Sequence, residues 1–106
     1  MFKASTAGLV AALAWLYAVP AQAQDNSLAR SLAATCANCH GSNGAARGEM
    51  KVLAGVPAAA TLAKMAAFKS GALPATVMHQ IAKGYSDEQV ALLAGYFAAQ
   101  KAPVVK

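Results

Sequence analysis

Acidic residues are scarce in this chain: four Asp/Glu stand against nine Lys/Arg, and charged residues of either sign make up 12% of 106 positions, for a net charge of +5. Tryptophan occurs once and cysteine twice. No stretch alternates apolar and polar residues with a period of two, so a β-sandwich or barrel is not expected. There is no internal repeat. Paired carboxylates, a nucleophile beside a base and a phosphate-binding glycine loop are all missing, so the chain is not expected to be a catalyst in its own right. The length excludes a dinucleotide-binding or barrel enzyme, and 58% hydrophobic residues exclude a disordered or collagen-like chain. What remains is one small, helical domain.

Much of the hydrophobicity lies at the start. Phe2-Lys3 gives a short basic beginning, residues 4–19 are uncharged and mostly apolar, Pro20 interrupts, and Ala21-Gln22-Ala23 has the small-x-small form of a cleavage site. Residues 1–23 therefore read as a secretory signal peptide. The uncharged stretch 4–23 also has about the length of a membrane-spanning helix, so an uncleaved anchor is the alternative. Pro20 and the Ala-x-Ala sequence favour cleavage. The expectation is an exported, periplasmic protein with residues 24–106 as a single domain and no membrane span left. A domain of that size buries a limited share of its surface and commonly leans on a metal, a cofactor or a disulfide.

The two cysteines fall in Cys36-Ala37-Asn38-Cys39-His40. Cys-x-x-Cys-His is the attachment pattern of haem c: the thiols bond covalently to the two vinyl groups, and the histidine ligates the iron. A disulfide across two intervening residues is geometrically tight, and a thioredoxin-like pair needs a βαβ context that is missing. Zinc needs four ligands, and His79 is the only other Cys or His. One haem c is thus the expected cofactor, with Cys36 and Cys39 as its covalent ligands and His40 on the iron.

A six-coordinate iron needs a ligand on the opposite face, and Met50, Met65, Met78 and His79 are available. Met65 repeats with Leu62 and Phe68 every three residues, as a core-facing helix position does. Met50 follows His40 by ten residues in a glycine-rich loop. Met78 comes after Pro74 on a segment able to return over the far face, and it is the first choice. His79, the other two methionines and an open position stay as alternatives. Methionine opposite histidine raises the reduction potential, which suits a carrier.

Capping and periodicity predict four helices. The first spans about 26–38, with Asp25-Asn26-Ser27 as cap and a stripe of Leu28, Leu32 and Ala33. Gly41 to Gly48 is a loop expected to close over one haem edge. A second helix covers 58–69 behind Pro57, ending at Gly71. A third runs from Ala75 to Lys83. Ser86-Asp87-Glu88-Gln89 is a capping box that opens the last helix, whose stripe is Val90, Leu93 and Phe97. Gly95 inside it predicts a close helix crossing. Lys101 to Lys106 reads as a frayed basic tail.

Cys36 to Gly44, Leu53-Ala54-Gly55, Phe68-Lys69-Ser70-Gly71 and the run from Thr76 to Glu88, through Tyr96-Phe97, resemble small class I c-type cytochromes. Within these, the pattern is similar to cytochrome c-553-like proteins and to the cytochrome subunits of flavocytochrome c sulfide dehydrogenases. The resemblance covers about residues 28–100. It implies an all-α class I cytochrome c fold, three to four short helices around one covalently bound haem, with the first and last helices crossing near Gly95. It also implies thioethers at Cys36 and Cys39, His40 as proximal ligand and Met78 as distal ligand. Lys51 stands where relatives usually carry proline, in the turn whose backbone oxygen holds the proximal histidine, and Ala60 where they often carry an aromatic.

The expected function is one-electron transfer through a His/Met-ligated haem. Lys51, Lys64, Lys69 and Lys83 would ring its exposed edge and steer the protein to an acidic redox partner. The alternative is the electron-accepting haem subunit of a flavoprotein sulfide dehydrogenase, working in sulfide oxidation. An open-site haem sensor or enzyme comes third, since it requires Met78 not to bind. Nucleic acid is not an expected partner.

Overall fold

A computed structural model describes residues 21–104, with side chains from residue 25 onward. Residues 1–20, most of the expected leader, and 105–106 lie outside the described residues. Among the described residues all regular structure is helical: α1 is Ala21–Ala34, α2 the single turn Ala37–His40, α3 Ala58–Ser70, α4 Met78–Lys83 and α5 Asp87–Ala98, with a 3-10 turn at Ser42–Gly44. Helix α5 is central, packing against both α1 and α3, while α4 lies on α3. None of these helices is long and apolar enough to cross a membrane.

Helix α1 differs from the predicted 26–38 at both ends. It takes in the Ala21-Gln22-Ala23 sequence, whose residues are good helix formers. It then stops short of the cysteines. The Thr35 amide and hydroxyl both bond to the Leu32 carbonyl, at 3.4 and 2.9 Å, and the Cys36 amide bonds to the Ala33 carbonyl at 3.1 Å. Bonds to the third preceding residue tighten the last turn and end the helix there. Its buried face is Ala29 and Ala33 rather than the expected Leu28, which is 48% exposed.

Helix α3 begins behind Pro57 and ends at Gly71, whose left-handed conformation places its amide on the Phe68 carbonyl, as predicted. Met65 is buried there, but Leu62 is exposed, so the stripe is narrower than its spacing suggests. Helix α4 starts three residues later than predicted. Val77, at φ −132° and ψ −26°, sits in a bend, and its carbonyl takes the amides of Gln80 and Ile81. Thr76 and Val77 form that bend, so the helical hydrogen bonds begin only at the Val77 carbonyl. The capping box of α5 is present in full: Ser86 Oγ accepts from the Gln89 amide at 3.2 Å, and Gln89 Oε1 accepts from the Ser86 amide at 2.9 Å.

Two apolar clusters form the core. Ala33, Leu93 and Phe97 make one, with Leu32, Cys36, Leu53 and Tyr96 against it; Met65, Ala82 and Val90 make the other, with Phe68 and Met78. Tyr85 packs against both. The close crossing expected at Gly95 is absent: Gly95 is exposed, and a Cβ there would meet nothing within 4 Å. Ala33 of α1 against Leu93 and Phe97 of α5 builds the contact instead.

The position that does require glycine is Gly44. Its φ is +75°, and a Cβ would come within 2.8 Å of both Leu53 Cβ and Phe97 Cδ1. Its carbonyl accepts from the Leu53 and Ala54 amides at 2.9 and 3.1 Å, and the Gly55 amide donates to the Phe97 carbonyl at 2.9 Å. The glycine-rich loop is thereby pinned to the end of α5.

Candidate haem site

Cys36, Cys39 and His40 lie on one helical turn. The His40 amide bonds to the Cys36 carbonyl at 2.9 Å, the Cys39 amide to the same carbonyl at 3.3 Å, and the Gly41 amide to Ala37 at 3.0 Å. Residues three and four apart share a helix face, so both thiols and the imidazole are presented together. Gly41, at φ +78°, ends the turn; a Cβ there would sit 2.8 Å from the Ala45 carbonyl oxygen.

Neither cysteine is in a disulfide. Cys36 is half-buried against Ala33, Leu93 and Phe97, and burial pushes its thiol pKa up. Cys39 is exposed. Among the described residues no three His, Cys, Asp or Glu side chains are placed to hold a bare metal ion.

His40 Nδ1 lies 2.7 Å from the backbone oxygen of Lys51. A carbonyl only accepts, so the ring proton sits on Nδ1, and Nε2 keeps its lone pair for a metal. The contact is to backbone, so it forms with lysine in the position where relatives usually carry proline. A hydrogen bond of this kind orients a ligating imidazole.

Of the four candidates for the opposite face, Met65 is buried in the core and Met50 is 46% exposed in the loop before Lys51. Met78 is the first residue of α4, half-buried against Met65, Ala82 and Val90. His79 is half-buried too, and its Nδ1 is shut from solvent with no hydrogen-bond partner, unlike an ordinary surface histidine. Of the four lysines expected to ring the haem edge, Lys51, Lys64 and Lys83 are exposed. Lys69 is instead engaged within the fold, donating to the Tyr85 carbonyl and standing 3.6 Å from the Asp87 carboxylate.

Two tyrosines that the sequence reading gave no role hold the attachment turn. The Tyr85 hydroxyl is 2.8 Å from Thr35 Oγ1, just before Cys36, and the Tyr96 hydroxyl donates to Asn43 Oδ1 at 2.6 Å, just after His40. The partners are 50 and 53 positions apart, and no local pattern encodes such pairs. The two free thiols and the imidazole with an unspent Nε2 on one turn fit a covalently attached haem.

No family model matches the chain. A segment of 66 residues, 62% of the chain, is 35% identical to the cytochrome subunit of sulfide dehydrogenase of Chlorobaculum tepidum. The match covers 60% of that protein, so the chain spans less than two thirds of the relative's length. This supports a cytochrome-like relationship and agrees with the all-helical fold.

Proposed function

We propose that the chain is a periplasmic monohaem c-type cytochrome that carries one electron at a time. The observation that carries this reading is the bond from His40 Nδ1 to the Lys51 carbonyl, which leaves Nε2 available beside two free thiols on one turn. When bound, haem supplies a one-electron ferrous/ferric couple. The residues do the rest. Cys36 and Cys39 hold the macrocycle covalently, the Lys51 carbonyl fixes the His40 tautomer, and Met78 offers a soft thioether from the start of α4. Met65, Ala82 and Val90 pack behind Met78. Lys51, Lys64 and Lys83 present positive charge to an acidic redox partner.

The similarity to a sulfide dehydrogenase cytochrome subunit favours a second reading, in which this chain accepts electrons from a flavoprotein that oxidises sulfide. Copurification with a flavoprotein separates the two: a stable complex supports the subunit, and a monomer in every fraction supports the free carrier.

The test is an absorption spectrum of the exported protein, oxidised and reduced, with a pyridine haemochrome assay. A c-type haemochrome with the far-red band of ferric iron–methionine ligation is expected, and Met78→Ala should abolish the band and lower the midpoint potential. Absence of haem would overturn the proposal. A Met78→Ala protein with unchanged spectrum and potential would move the distal position to His79 or to an open site.

A further inference from the structure

Tyr85 is tethered at three points. Its ring packs against both core clusters, the one that includes Cys36 and the one that includes Met78. Its carbonyl accepts from the Lys69 ammonium of α3, which also pairs with Asp87. Its hydroxyl meets Thr35 Oγ1 at 2.8 Å. The direction of that last bond follows from proton counting: Thr35 directs its own proton to the Leu32 carbonyl at 2.9 Å, so the Tyr85 hydroxyl is the donor.

Position 85 closes the short helix α4. The Gly84 amide bonds to Ile81 and the Tyr85 amide to Ala82, so the chain is hydrogen-bonded from Val77 through Tyr85. A helix of six residues moves as one piece. Fixing its C-terminal end therefore fixes Met78 at its N-terminal end. We propose that Tyr85 is a positioning residue: through Thr35 it holds the Met78 segment in place relative to the Cys36–His40 turn, keeping the distal methionine on the iron against competing ligands. This rests on the haem reading above and assigns it a residue that touches neither iron nor thiol.

The experiment is a titration of the ferric holoprotein with imidazole, read as loss of the far-red methionine band. Losing one such hydrogen bond corresponds to about a 3- to 10-fold change in an equilibrium. Tyr85→Phe should raise the apparent imidazole affinity by about that factor, with its helical circular dichroism unchanged. Thr35→Val should do at least as much, the double variant no more than Thr35→Val alone, and Thr35→Ser should behave as the unmodified protein. An affinity unchanged within about twofold in Tyr85→Phe, or single effects that multiply in the double variant, would overturn the proposal. If the unmodified protein lacks the methionine band, the Met78 assignment is what fails. The same variants are then judged by urea unfolding, where independent effects of Tyr85→Phe and Thr35→Val would overturn the tether.

Discussion

A methyl group added at Gly44 and one added at Gly95 should act in opposite directions. At position 44 it meets Leu53 and Phe97 at 2.8 Å, on a backbone with φ +75°. Gly44→Ala is expected to cost about 2 to 4 kcal/mol, from left-handed strain together with overpacking. At position 95 it meets open space on an exposed helix face, and Gly95→Ala should add roughly 0.5 to 1 kcal/mol through helix propensity. Urea unfolding of the two variants checks both signs. The contrast also marks what sequence can say of a single residue: a glycine in a helical pattern is visible, but whether a neighbour occupies the missing side chain's place is not. His40 shows the reverse case: its motif was legible, and its partner, the backbone oxygen of the Lys51 turn, was reached through the resemblance rather than through any side chain.

Elements were legible where their signals are local. The capping box of α5 occupies four consecutive residues, and Ser86 and Gln89 make both expected bonds. Ser86→Ala should lower stability by about 1 kcal/mol, seen as a shift in the urea midpoint at constant slope. Pro57 and Gly71 bracketed α3 for the same reason. Boundaries failed where two local preferences compete. Thr35 turns its hydroxyl and amide back on Leu32 and ends α1, although the alanines around it favour continuation. Thr76 and Val77 form a bend after Pro74, which delays α4 until Met78. The Tyr85 and Tyr96 contacts with the attachment turn were missed outright, because they arise only once α1 and α5 are packed together.

For the molecule as a whole, the excess of positive charge governs encounter with partners. Raising ionic strength from about 0.01 to 0.15 M shortens the screening length from about 30 to 8 Å, so the rate of reduction by an acidic partner should fall over that range. Stopped-flow kinetics should show Lys64→Ala and Lys83→Ala weakening that rate at low salt. Lys69→Ala should act mainly on stability, because its ammonium is occupied by Tyr85 and Asp87. One further consequence lies in the loop pinned by Gly44. The amides of Leu53, Ala54 and Gly55 belong to no helix, yet they bond to the carbonyls of Gly44, across the loop, and of Phe97, far along the chain. Those bonds cannot fray from a helix end; releasing them means lifting the loop off α5. In deuterium oxide these three protons should therefore be among the slowest to exchange, outlasting the terminal turns of the helices and leaving only with global opening of the chain.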